Sequence, residues 1–448
     1  MLPKAVNPLY GTAEPDVRVI LYNGKIRLRA SGNTMEGSGS INLDWQPTPR
    51  VGFEVAIPFD PEQPFHNINE PIPIEIELPD IAGRGRGSVY RSHRRSTRHP
   101  DQTLYGPVID ELVVGNPCPT ESILFHIPNF PHFLGQMITS DDGVASWGGR
   151  VSATTSAWRV EIDAVPHIGE LNQLLAAGGG YGITHVGRLT RVDGEAVPFE
   201  DLSRIATMLD SWLSLLRSER TSPVLMAGLH EGEVLWKMWR TPHVARWKLR
   251  HSWLPEVLLG PEHGGKEVDL GPILESLDNM RNDIGFERIV PRAIDWYTQA
   301  VETNHNTTRI ILAQAGLELM SWLNLVRESG ISEESFDRFQ AADALRIALR
   351  FASIDPSVPP SATSLVGATS RTGGSPEVDG PGAITGIRNS AIHPKGGQRF
   401  SDDQVIYEGG QIAIRYLELL ILNRLGYMGA TNSRVDRSGP EYVPWVNP

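Results

Sequence analysis

The sequence predicts an α+β protein in which an N-terminal β-rich, sandwich-like domain is followed by a C-terminal all-α bundle. Three observations carry that prediction. From Val17 to about Trp253, apolar residues recur mostly at every second position in short runs separated by turn residues, the pattern of antiparallel sheet. After a Gly- and Pro-rich joint at about 255–265 the period lengthens to 3.6, which is helical. At 448 residues the chain is also longer than one typical domain. The expected division is a sensing or binding β-rich domain at 1–255, a connecting segment at 256–284, a helical bundle at 285–430 and a C-terminal tail at 431–448.

In the first domain, VRVILYNGKIRLRA reads as two strands turning at Asn23-Gly24, a dipeptide that tolerates positive φ. Ile72 to Leu78 alternates strictly, and Ser122 to His126, Ala157 to Ala164, Gly182 to Val192 and Val234 to Trp239 add further strands. One helix interrupts them, since Leu202, Ile205, Leu209, Trp212, Leu213 and Leu216 follow the acidic start Glu200-Asp201 at helical spacing. Trp236, Trp239, Trp247 and Trp253 read as packing residues. Beyond the joint, helices are expected at about 270–281, 286–303, 307–328, 332–353 and 402–426. In the third of these, Ile311, Ala315, Leu319, Trp322 and Val326 form the expected buried stripe. Residues 355–382, rich in Pro, Gly, Ser and Thr, are expected to form a mobile loop within the bundle.

Composition narrows the function. A net charge of -12 opposes nucleic-acid or membrane binding through overall charge, so any such contact must be local. Cys118 is the one cysteine, which excludes an intrachain disulfide and a thiolate zinc or iron–sulfur site and points to a reducing cytosol. The N-terminus lacks the pattern of a secretory signal, and no eighteen-residue apolar stretch occurs; Tyr416 to Leu425 is interrupted by Glu418, Asn423 and Arg424 and reads as a buried helix. A cytoplasmic protein with no membrane partner is expected.

Several strings have weak claims to chemistry. Gly260 to Glu267 resembles a phosphate-binding loop until Glu267 takes the place of the magnesium-binding Ser or Thr, where a carboxylate repels phosphate. AGGGYG at 177–182 lacks the dinucleotide fingerprint and reads as a turn. No H-E-x-x-H or G-x-S-x-G string occurs, so neither a metal nor another cofactor is expected. Arg84, Arg86, Arg91, Arg94, Arg95 and Arg98 fall within fifteen residues of an acidic chain, with Tyr90 and His93 among them and His99 following. Guanidinium groups pair bidentately with phosphate, so this cluster is a candidate RNA or anion contact, against the plainer reading of a solvated loop.

The string with the most chemical content is Ile384 to Pro394, ITGIRNSAIHP. Ile384, Ile387, Ala391 and Ile392 mark the apolar face of a short helix, and Pro394 disfavours helical geometry at His393, leaving the histidine at a helix end. Arg388, Asn389 and His393, placed before the last long helix of a bundle, resemble the ribonuclease motif of the HEPN superfamily. QAGLELMSWLNLV at 314–326 and the final helix ending in LGYMG are similar to the same superfamily, and the likeness covers roughly 285–430. With a β-rich half ahead of it, the whole resembles the ApeA-like HEPN proteins of anti-phage abortive infection.

That resemblance implies a metal-independent endoribonuclease in which the RNA 2′-OH is the nucleophile. His393 would be general acid or base, Arg388 the phosphate stabiliser and Asn389 an orienting donor. It also implies an RNA substrate, a homodimer or higher assembly, and a phage-derived trigger bound by the β-rich domain. The alternative is a non-catalytic HEPN-like module for dimerisation or ligand and partner binding. Five helical residues rotate by about 500°, which would point Arg388 and His393 roughly 140° apart, so a shared dimeric site is expected, with early helix termination at Pro394 as the competing account.

Overall fold

In the computed structural model, all residues are described except 1, 31, 61–64, 66–67, 95–100, 249–250, 256–267, 281–286, 371–377, 394–399, 401, 437–438 and 447–448. The fold is α+β, and the chain divides into two compact units, Met1–Leu209 with Thr221–Leu249, and Asp210–Arg220 with Arg250–Pro448.

The first unit begins with β1 (Val19–Ala30), β2 (Asn33–Asp44), β3 (Arg50–Pro58), β4 (Ile72–Leu78), β5 (Gly83–Val89), β6 (Arg91–His93) and β7 (Asp101–Gly115). It continues with β8 (Ser122–Pro128), β9 (Gln136–Thr139), β10 (Ser146–Thr154), β11 (Trp158–Ala164), helix α1 (Ile168–Gly178), β12 (Ile183–Arg191), helix α2 (Leu202–Arg217), β13 (Val224–His230) and β14 (Glu233–Arg240). All fourteen strands join one antiparallel sheet, and its first half closes on itself in the order β3-β2-β1-β4-β5-β7, with β7 returning to β3. The expected sandwich is therefore corrected to a six-stranded barrel from which an arm, β14-β13-β8-β12-β11-β10-β9, extends.

Closure depends on β7, whose residues Asp101 to Pro107 pair with β3 while Val108 to Val113 pair with β5. The change of partner falls between Pro107 and Val108; just before it, at Gly106, a Cβ would stand 1.8 Å from the Ser88 carbonyl oxygen, so only glycine allows the strands to approach there. Ile26, Leu28, Ile41, Leu43, Leu104 and Leu112 have no exposed surface and belong to one apolar cluster. Burying such side chains contributes about 1.5–3 kcal/mol each.

The hairpin expected at Asn23-Gly24 is displaced. β1 runs straight through that dipeptide, which pairs with Ser40 and Gly39, and the chain reverses between Ala30 and Asn33, with Gly32 at φ 84°. Tyr22 holds the strand extended, its hydroxyl donating to the Lys25 carbonyl at 2.8 Å. Register over the whole β1–β2 ladder outweighs a local turn preference.

The second unit contains the end of α2 and α3 (Gly271–Asn279), α4 (Ile289–Glu302), α5 (Asn306–Trp322), α6 (Glu333–Phe336), α7 (Ala341–Phe351), α8 (Thr363–Ser370), α9 (Gly380–Ile392) and α10 (Asp403–Arg424), then β15 (Ala430–Asn432) paired with β16 (Pro440–Tyr442). α10 is buried along most of its length and packs on α4, α5, α8 and α9. At Gly409 a Cβ would come 2.4 Å from Ile387 Cδ1, so the glycine sets how closely α9 and α10 approach.

Three expectations change here. The segment 355–382 holds α8 and the start of α9, because Leu365 and Ala368 bury an apolar edge and Glu408 accepts the Leu365 amide proton at 2.7 Å. The helix expected at 332–353 is broken into α6 and α7. The helix expected at about 270–281, inside the connecting segment, is α3, anchored by buried Ile273, Leu274 and Leu277. In α5 the buried stripe is Ile310, Ala313, Gln314, Leu317, Met320 and Ser321, while Ile311 is exposed. So many α5 residues are apolar that periodicity fixes the helix and not its rotation.

Candidate functional site

The motif occupies the C-terminal end of α9. Asp379 caps the helix, accepting from the Gly382 amide at 3.0 Å, and Arg346 on α7 grips the same carboxylate with Nε at 2.5 Å and Nη2 at 2.9 Å. Burial by itself raises the pKa of Asp379, but the Arg346 pair and the cap outweigh it and hold the group below the ordinary carboxylate value. Pro381 sits in the first turn, where its missing N–H costs nothing. Ala383, Ile384 and Ile387 bury the inner face, so the first half of α9 is fixed on both sides.

The last turn leaves the core. Ala391 and Ile392, expected on the buried face, are exposed, Ile392 by 40%. Arg388 is half-buried and donates from Nη1 to Asn389 Oδ1 at 3.1 Å, with Asn389 exposed. His393 is exposed, its amide donating to the Asn389 carbonyl at 2.8 Å while its own φ of −121° and ψ of 90° are extended. An extended residue before a proline follows from the clash of the proline ring with helical geometry; Pro394 itself lies outside the described residues. The chain therefore joins Arg388 to Asn389 through side chains and Asn389 to His393 through backbone, at a helix end open to solvent.

The arginine cluster belongs to the first unit. Arg84 and Arg86 are exposed on β5, alternating with inward Gly83, Gly85 and Gly87, so their outward position follows from the two-residue strand period. Arg86 is ion-paired with Asp110, and Arg84 lies opposite Glu77 in the β4–β5 ladder. Arg91 stands 5.8 Å from the Tyr105 ring centre and Arg94 3.8 Å from that of Phe59. Arg95 and Arg98 lie outside the described residues, as does the Gly260 to Glu267 string. Among the described residues, no group of three or more His, Cys, Asp or Glu is placed to hold a metal ion, and no helix is long and apolar enough to cross a membrane.

A second polar cluster was not anticipated. Glu418, fully buried in α10, accepts from Tyr297 Oη at 2.7 Å, Arg415 Nη1 at 2.7 Å and Arg434 Nε at 2.8 Å. Arg434 Nη2 also donates to Tyr297 Oη at 2.8 Å, and Ser218 Oγ stands 2.9 Å from it. Arg434 comes from the segment expected to be a tail, and its side chain is only 4% exposed. The signal available in the sequence was Glu418 itself, a carboxylate inside an apolar run.

The geometry thus defines a two-unit α+β protein: a closed antiparallel barrel with an open sheet arm, and a helical unit whose α9 ends in exposed Asn389 and His393 beside half-buried Arg388. In sequence, residues 115–250 match the YopA central domain and residues 283–443 the YopA C-terminal domain. The first match spans the sheet arm with α1 and α2, so the closed barrel precedes both. The chain is also 24% identical, over 460 residues covering 97% of this chain and 96% of the relative, to the SPbeta prophage-derived uncharacterized protein YopA of Bacillus subtilis (strain 168). No solved structure matches.

Proposed function

We propose that the helical unit is a HEPN-type, metal-independent endoribonuclease of the cytoplasm, acting in the contest between phage and host, with Arg388, Asn389 and His393 as its site. The observation that carries this reading is the solvent-facing end of α9, where an Arg–Asn hydrogen bond at 3.1 Å adjoins a histidine freed from helical geometry. RNA supplies its own nucleophile. His393 would take the 2′-OH proton or return one to the leaving 5′-oxygen, and Arg388 would stabilise charge on the phosphorane. Asn389, whose Oδ1 already accepts from Arg388, holds the guanidinium rather than acting first as a donor to substrate. The prophage origin of the Bacillus relative supports a role connected with phage, and the barrel with its exposed Arg84 and Arg86 is a candidate surface for RNA or a phage-derived trigger.

A non-catalytic reading is favoured by a different observation. Ile347 and Phe351 on α7 and Ile392 on α9 are exposed by 39%, 62% and 40%, a set of apolar residues suited to a partner interface. Incubating the purified chain with RNA in excess EDTA separates the two. The nuclease yields fragments ending in 2′,3′-cyclic phosphate, whereas intact RNA, or 5′-phosphate ends formed only with magnesium, contradicts it.

A further inference from the structure

Within the helical unit, residues of α5, α6, α7 and α9 line a cavity of about 290 Å³. Leu317, Ala344 and Leu345 give it apolar walls, and the rings of Phe336 and Phe339 stand edge-to-face, 6.4 Å apart at 87°. Its polar atoms are incompletely matched. Gln314 and Ser321 are 4% and 1% exposed, and Gln314 Oε1 and Ser321 Oγ have no hydrogen-bond partner among the described residues. An unmatched buried polar atom is destabilising, and a ligand able to complete it would recover that loss.

The orientation of the Gln314 amide is fixed by chemistry. Its Nε2 donates to Glu318 Oε1 at 3.1 Å, and since a carboxylate can only accept, the reverse orientation would set two acceptors against each other. Oε1 is therefore the unmatched atom and asks for a donor. Ser321 lies two residues before the π-helical turn Leu323–Glu328, a distortion frequent at functional sites. Glu318 and Asp337, both exposed, add two carboxylates to the lining, and among the described residues no Arg, Lys or His lines the cavity. An anion would meet two like charges there. A cation would meet opposite charge, aromatic faces and unmatched acceptors together.

We propose that this cavity binds a small organic cation, a guanidinium group on a short apolar stem. A guanidinium offers five N–H donors in one plane, enough for Gln314 Oε1, Ser321 Oγ and a carboxylate at once, and its flat face suits a phenyl ring. The stem lies along Leu317, Ala344 and Leu345. Thr385 also lines the cavity and stands three residues before Arg388, a rise of about 4.5 Å along α9, so the occupant lies within a turn of the motif. The proposal holds whether or not Arg388 and His393 cleave RNA.

The test is calorimetric titration of the full chain with n-butylguanidinium, its uncharged isostere n-butylurea, and adenosine monophosphate as an anion. Saturable binding of n-butylguanidinium at one site per chain is expected, with n-butylurea at least tenfold weaker and no competition from the nucleotide. Gln314→Leu removes the acceptor at nearly constant volume, and Asp337→Asn changes an exposed residue; each should weaken n-butylguanidinium at least tenfold while the thermal midpoint without ligand is kept. Equal binding of the urea, competition by the nucleotide, unaltered binding by both variants, or no saturation would each overturn the proposal.

Discussion

Replacing Glu418 by Gln keeps the shape of the side chain and removes its charge, and the consequence can be worked from the contacts. In the wild type one buried carboxylate receives Arg415, Arg434 and Tyr297 at 2.7–2.8 Å. Tyr297 has one hydroxyl proton; giving it to Glu418 leaves its oxygen free to accept from Arg434 and from Ser218. Burial alone would raise the pKa of Glu418, yet the two guanidinium groups outweigh it and hold the group ionised below its ordinary value. In the Glu418→Gln variant, Arg415 and Arg434 would face a neutral amide in the interior. Breaking a buried pair in this way costs about 3–5 kcal/mol. For a unit of this size each kcal/mol moves the midpoint by about 2–4 °C, so differential scanning calorimetry should show the helical unit melting roughly 6–20 °C lower. A midpoint within about 2 °C of the wild type would refute the view that this cluster holds α4, α10 and the Arg434 segment together.

Other outcomes follow from the same contacts. His126 is fully buried, donates from Nδ1 to the Leu225 carbonyl at 3.2 Å and accepts the Leu9 and Tyr10 amide protons at Nε2, and burial lowers its pKa to about 4 from 6.5. Because the unfolded chain binds the proton first, the stability it contributes is complete above pH 6.5 and is lost as pH falls towards 4; between pH 7.5 and pH 5 the wild type should lose about 2 kcal/mol more than His126→Gln in urea titrations. Equal losses would show that His126 is not the titrating group. Replacing Arg91, Arg94 and Arg95 by Glu should weaken RNA binding and flatten its dependence on salt, and an unchanged slope in fluorescence anisotropy would return the cluster to a solvated loop. If two chains share each site, mixing Arg388→Ala and His393→Ala proteins should restore part of the RNA cleavage. A verified heterodimer without recovery, or a fully active monomer in sedimentation, would end the shared-site arrangement.

The legible part of this fold was what short-range pattern determines. The two-residue period gave β4, β8, β11, β12 and β14, fewer than half of the strands in the sheet, and the 3.6-residue period gave α2, α4 and α10 within a few residues of their observed ends. The barrel was not legible because closure is a pairing between β3 and β7, more than forty residues apart, that no local pattern records. Alternation is the same in a sandwich and a barrel. Asn23-Gly24 misled because a strong turn dipeptide was overruled by an eleven-pair ladder. At the candidate site, Pro394 made the end of α9 readable, whereas the Asp379–Arg346 clamp joins residues 33 apart. Gln314 and Ser321 were missed through one physical ambiguity: in a helix apolar nearly all round, the buried stripe was assigned one residue out of phase, and the two polar residues fell on the wrong side.

The central claim is that Arg388 and His393 perform chemistry. Single-turnover cleavage of a labelled single-stranded RNA by wild type, Arg388→Ala and His393→Ala, in EDTA and with matched circular dichroism spectra, tests it most directly. Both residues stand outside the apolar core, so the variants should fold as the wild type does, with cleavage slowed by at least about 10²-fold when the acid–base group is lost. Cleavage at the wild-type rate by well-folded His393→Ala protein would contradict the account.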